Sequence, residues 1–218
     1  MPPVKLVPAP WNLRGSGYII ALNLPESELE RHLPKFSDKF AFVSLPIIML
    51  VDYQSSEAGP YFELLFIPGR LDTPDGQFWH ITKIYVSTEI SVVNGINNWG
   101  IPKELANFHF TKYATGHKVS VELNSKTKIA EFDLSFSDFK IPVTTAIVPG
   151  GLMNFRQQID NKLFDYSISA NGKIAFGSTK RVATNPDFFP KISLSNIRMT
   201  FGVPDFNLQF PVANVKSI

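Results

Sequence analysis

The sequence predicts a mainly β protein, an antiparallel barrel or sandwich carrying one or two short helices. Three observations support this fold class. Short runs alternate apolar and polar side chains with a period of two. Those runs are rich in β-branched and aromatic residues, which suit pleated surfaces; the chain holds 19 Phe. The 17 Pro fall mostly between the runs and punctuate the chain rather than form a linker. With 218 residues, 44% of them hydrophobic and 18% charged, residues 1–218 read as one domain able to bury a sizeable core.

Gly15-Ser16-Gly17 reads as a tight turn, and residues 17–24 as a short strand. Residues 25–33 form the clearest helix, with Glu26 and Glu28 in the first turn, Arg31 and His32 in the last, and Pro34 as a stop. Residues 41–53, 61–67 and 78–93 read as strands. Residues 118–123 and 128–136 form a half-buried hairpin about a turn at 124–127, with Ala130, Phe132, Leu134 and Phe136 on one face. Residues 150–162 suit a helix or a loop. Asn171-Gly172 is a strong two-residue hairpin turn between strands at 163–169 and 173–177, and residues 192–201 close the series. The inward phenylalanines predict a barrel interior wide enough for a ligand.

Composition excludes several chemistries. The chain has no Cys, which removes disulfides, thiolate-held zinc or iron–sulfur centres, and a cysteine nucleophile. Its formal charge is +2 and it contains no basic run, so a nucleic-acid partner is not expected. Its longest apolar run, around residues 45–51, is far below the ~20 residues of a membrane-spanning helix, so no membrane partner is expected and a cytoplasmic location is. Of His32, His80, His109 and His117, no pair has helical zinc spacing. His109 and His117 could face each other across a hairpin, but they read more readily as core or surface histidines than as metal ligands. The Ser125–Lys128 stretch matches a Ser-x-x-Lys pattern only formally, because it lies in a turn.

One window carries a different signal. Asn94-Gly95-Ile96-Asn97-Asn98-Trp99-Gly100-Ile101-Pro102-Lys103-Glu104-Leu105-Ala106 places a lysine among Trp99, Ile101 and Leu105. An ordinary lysine is only about 0.04% neutral at pH 7. Apolar surroundings disfavour the ammonium, and a neutral amine can attack a ketone to form an imine. The alternative is a lysine whose stem lies on apolar surface while its head reaches water.

The window resembles the active-site signature of the acetoacetate decarboxylase family at Gly95, Trp99, Gly100, Pro102, Lys103 and Ala106. Its wording is closest to the acetoacetate decarboxylase-like branch common in fungi. Gly59-Pro60-Tyr61-Phe62-Glu63 is similar to a second family stretch, and Arg14, within Asn12-Leu13-Arg14-Gly15-Ser16-Gly17-Tyr18, to an N-terminal arginine. The resemblance implies a β-barrel or double-layered β-cone with Lys103 projecting inward as a Schiff-base nucleophile. It implies that Arg14 holds a substrate carboxylate, that Glu63 handles protons, and that Tyr61, Trp99, Ile48 and Ile101 line the substrate site. It also implies a small-molecule β-keto acid or related carbonyl substrate, no metal or organic cofactor, and homo-oligomeric assembly. The residues alone leave alternatives open: Glu63 as an outward strand residue, Arg14 as a surface base and Tyr61 as a core residue.

Three departures bear on the chemistry. The family's Arg-Glu after the first glycine is Ile96-Asn97 here, its second lysine is Glu104, and a second family acid falls on Ile48. Decarboxylation by a Schiff-base lysine ranks first. Aldol, dehydration or cyclisation chemistry on a larger apolar carbonyl compound comes second, and a non-catalytic small-molecule binder third.

Overall fold

The computed structural model describes residues 3–34, 36–37, 45–147 and 151–218. The elements run β1 (Trp11–Leu22), α1 (Glu26–Glu30), β2 (Ile47–Ser55), β3 (Tyr61–Ile67), β4 (Arg70–Thr73), β5 (Gly76–Trp79), β6 (Lys83–Val86) and α2 (Glu89–Trp99). They continue with β7 (Lys103–Leu105), β8 (Asn107–Tyr113), β9 (Gly116–Asn124), β10 (Thr127–Phe136), β11 (Ile141–Thr144), β12 (Asn154–Ile159) and β13 (Lys162–Ser167). The last are β14 (Ser169–Thr184), β15 (Ile197–Phe210) and β16 (Asn214–Ser217).

A large sheet runs β7-β6-β3-β2-β1-β15-β14-β10-β9-β8, with β11 added on β14. Its end strands β7 and β8 follow one another in the chain. Phe62 of β3, near one end of the sheet, stacks at 4.5 Å on Phe110 of β8 at the other, so the sheet curls into a nearly closed barrel. A second sheet, β16-β13-β12-β5-β4, forms the outer layer. The predicted mainly β barrel is therefore present, in a double-layered form.

The barrel wall is apolar on both faces. Along β2 and β3, Ile48, Leu50, Leu64 and Phe66 belong to a core shared with Val121, Phe132 and Leu134 of the opposite wall. The alternate positions Val51, Tyr53, Tyr61, Leu65 and Ile67 belong to a second core with Trp99, Phe155 and Tyr166 of α2, β12 and β13. Period-two alternation sends neighbours to opposite faces, so the wall divides two cores. The barrel interior is filled by the first core, and the expected ligand space lies instead in the second, between the layers.

Several local expectations change. Residues 78–93 are not one strand: they cover the end of β5, all of β6 and the start of α2. Asn171 and Gly172 lie inside β14, with Gly172 paired to Phe206 on one side and Val143 on the other, so a turn signal gives way to pairing at both edges. Gly15-Ser16-Gly17 lies within β1, where a register shift between the glycines kinks the strand rather than reversing it. Residues 154–159 form β12, held to β13 by the buried Arg156, which donates two hydrogen bonds to Asp165 at 2.6 and 2.8 Å. The helix expected at 25–33 is shorter, Glu26–Glu30, and leaves Arg31 and His32 beyond its end; the 124–127 turn and the 118–136 hairpin form as expected. The start of the strand expected at 41–53 lies outside the described residues.

Candidate active site

Helix α2 and the turn after it place the lysine. Glu89 occupies the first turn, where a carboxylate suits the positive end of the helix dipole. The buried stripe of α2 is Ser91, Asn94, Gly95 and Trp99, a helical spacing of small, polar and aromatic residues. Gly100 ends the helix in the left-handed region at φ 63°, and a Cβ there would sit 2.5 Å from the Phe164 ring, so glycine is required on both counts. The Lys103 N–H donates to the Ile101 carbonyl at 2.8 Å, turning the chain into β7, which runs parallel to β6 with Lys103 opposite Ile84.

The stem of Lys103 then passes across Gly95. A Cβ on Gly95 would lie 2.6 Å from Lys103 Cδ and 2.8 Å from Cε. That glycine leaves the space the lysine occupies. Trp99 is buried, donates Nε1–H to the Pro211 carbonyl at 2.7 Å and meets Trp11 edge-on at 5.0 Å. The window that resembles the family signature is thus a packing device for one amine.

That amine is nearly sealed from solvent. The Lys103 and Glu63 side chains are 5% and 4% exposed. Lys103 Nζ donates to Glu63 Oε2 at 2.9 Å and to Ser91 Oγ at 3.1 Å, and lies 3.5 Å from the Tyr61 hydroxyl. Nζ also stands 5.0 Å from the centre of the Tyr61 ring. The Tyr53 hydroxyl donates to the other carboxylate oxygen, Glu63 Oε1, at 3.1 Å. Burial, reinforced by the Glu63 charge, pushes the phenols of Tyr53 and Tyr61 well above their ordinary range, so both remain neutral hydroxyls. Glu104 is not part of this group: it points outward and pairs with Lys83 at 3.1 Å.

The group closes one end of a cavity of about 50 Å³ lined by Trp11, Leu13, Leu65, Ile84, Trp99 and Ile101 among others. Of the residues singled out in the sequence, Lys103, Glu63, Tyr61, Trp99 and Ile101 come together here. Two do not. Arg14 lies on the face of β1 opposite Leu13; its side chain is 65% exposed and pairs with Asp205 at 3.6 Å. Ile48 faces the barrel core, one residue out of phase with the cavity-lining Met49. Leu105 is exposed and does not cover the amine. Ser91 and Tyr53 were missed by sequence reasoning. Each becomes legible only once α2 is known to be a helix and β2 is known to present its odd-numbered residues to the cavity.

No group of three or more His, Asp or Glu that could hold a metal occurs among the described residues. His117 faces Lys112, not His109, across the β8–β9 hairpin and shares a 2.7 Å hydrogen bond with the Tyr18 hydroxyl. No helix among the described residues is long and apolar enough to cross a membrane.

No family model and no curated protein matches the chain. Solved structures do. An acetoacetate decarboxylase from Legionella pneumophila subsp. pneumophila str. Philadelphia 1 superposes with a TM-score of 0.75 at 13% identity, over 100% of this chain and 92% of that one. The enduracididine biosynthesis enzyme MppR, complexed with pyruvate, superposes with a TM-score of 0.69 at 13% identity, over 97% and 91%. An acetoacetate decarboxylase-like enzyme from Sphingomonas wittichii RW1 gives 0.67 at 11% identity, over 97% and 94%. The protein has the acetoacetate decarboxylase-like fold, which houses enzymes in each of these neighbours.

Proposed function

We propose that this protein is a Schiff-base enzyme in which Lys103 condenses with a carbonyl compound and activates the carbon next to it. One observation carries the reading: a buried amine stands 2.9 Å from a buried carboxylate at the end of an apolar cavity. Glu63 takes the ammonium proton and leaves Nζ its lone pair. Nζ attacks the carbonyl carbon, forming the C–N bond as the carbonyl π bond breaks, and Glu63 returns its proton to the carbonyl oxygen. A second hydrogen passes from the nitrogen to that hydroxyl, which leaves as water, so the product is an iminium and Glu63 is again a carboxylate. Its positive nitrogen draws electrons from the α carbon, and Glu63 removes the α proton to give an enamine. Ser91 and Tyr61 stand where they can donate to the departing oxygen, and Tyr53 fixes the carboxylate.

Decarboxylation of a β-keto acid, the reaction the resemblance puts first, loses its expected anchor with Arg14 on the outer surface. Lys103 is the only cation among the described residues that line the cavity, and it faces Glu63. This favours reactions of a neutral carbonyl compound at its α carbon: aldol addition, its reversal, or dehydration. MppR, of like fold, was solved with a condensation product of pyruvate and imidazole 4-carboxaldehyde, which lends support to condensation at the α carbon, though with a keto acid as one partner.

The test is exchange of α hydrogens. In deuterated water the protein is expected to exchange the α hydrogens of a simple ketone, followed by NMR, and K103R is expected to abolish the exchange. Carbon dioxide release from acetoacetate without ketone exchange would return decarboxylation to first place. No turnover of either would favour a non-catalytic binder.

A further inference from the structure

Next to the lysine end lies a much larger space. A cavity of about 450 Å³ shares Met49, Tyr53, Ile67, Phe155, Ile168 and Leu208 with the small one, so the two lie side by side. It extends between the layers toward β11 and β14, where Thr144, Thr145 and Asn171 join its lining. Among the described residues that line it there is no Asp, Glu, Lys, Arg or His. Its size lies within the roughly 300–1,000 Å³ of small-molecule sites, whereas the lysine end holds only a few water-sized groups.

The site is therefore graded. Its lysine end presents an amine, a carboxylate and three hydroxyls; its middle is apolar; its far side carries threonines and an asparagine. A ligand with its carbonyl at Lys103 must run the rest of its length through the apolar middle. A carboxylate placed there would lose water without meeting a cation. From this we infer that the substrate is a neutral carbonyl compound with an extended apolar chain, an alkyl or aryl-alkyl ketone or aldehyde, and not a short keto acid. This rests on the Schiff-base reading above and adds the substrate class to it.

Straight-chain methyl ketones from acetone to 2-undecanone are the probes, trapped on the full-length protein with cyanoborohydride. Hydride adds to the iminium carbon, so Lys103 gains the mass of the ketone less one oxygen atom. Half-saturating concentration is expected to fall about fourfold per added methylene until the antechamber is full. Keto acids of matching length are expected to trap far more weakly. The corresponding 2-alkanols, which form no imine, are expected to bind with the same length dependence by calorimetry. Trapping that ignores length, or that favours acetoacetate, overturns the substrate class and leaves the Schiff-base reading standing. Alkanols that bind with rising affinity while no ketone labels Lys103 overturn the Schiff-base reading and the substrate claim with it.

Discussion

Replacing Gly95 by alanine should separate the stability of this protein from its chemistry. The new Cβ would lie 2.6 Å from Lys103 Cδ, and ordinary van der Waals contact begins at 3.4 Å, so the lysine stem must retreat by about 0.8 Å. The stem is a flexible side chain and can give way, but its amine cannot then keep both the 2.9 Å contact to Glu63 and the 3.1 Å contact to Ser91. A misplacement near 1 Å can cost on the order of 100-fold in rate. Meanwhile alanine is favoured over glycine within a helix by about 1 kcal/mol, which offsets the cost of moving the stem. G95A is thus expected to keep its unfolding midpoint within about 4 °C of the parent while ketone α-exchange falls by about two orders of magnitude. Differential scanning calorimetry and NMR exchange on the same preparation read both quantities. Parent-like exchange in a well-folded G95A would refute the claim that this glycine positions the amine.

Other consequences follow from the same packing. K103M leaves the Glu63 carboxylate buried without its cation and is expected to lose about 3–5 kcal/mol, and the double variant K103M/E63L to recover most of it, in urea unfolding. Asn94 donates from Nδ2 to the Lys5 carbonyl at 2.9 Å and accepts from the Val7 N–H at 2.7 Å, so it straps the N-terminal segment to α2. N94A is expected to cost about 1–3 kcal/mol and to speed hydrogen exchange at Val7 more than in the barrel core; equal protection at Val7 would remove the strap. Burial pushes His80 down to about 4 from 6.5, so the folded protein holds its imidazole neutral where the unfolded chain binds a proton. That stability is complete above pH 6.5 and is lost as pH falls toward 4, by about 3 kcal/mol. Unfolding free energies across that range are expected to slope less in H80N, and an unchanged slope would assign the loss to other groups.

The strand pattern and one lysine window were legible in the sequence, and the reasons the rest was not are physical. The 118–136 hairpin alternates cleanly because one of its faces is the barrel core. The first half of helix α2, residues 89–93, reads as strand in the sequence because the buried stripe of the helix is not apolar: Ser91 meets the amine, Asn94 holds the N-terminal segment and Gly95 makes room for the lysine stem. Each local demand removed one hydrophobic residue from the helical period. Glu63, Arg14 and Ile48 were singled out by resemblance to family motifs; the fold brings Glu63 to Lys103, whereas Arg14 and Ile48 stand one step out of phase on their strands and face away from the cavity. The antechamber could not be read at all, because its lining comes from β1, β2, β12, β14 and β15, joined only by the fold.

The account stands on Lys103 forming an imine. The most direct measurement is borohydride reduction in the presence of a saturating ketone, followed by intact-mass and peptide-mapping mass spectrometry. One adduct per chain, confined to Lys103 and absent from K103R, is the expected result. A folded protein left unmodified, or labelled equally on exposed lysines such as Lys126 and Lys216, would contradict it.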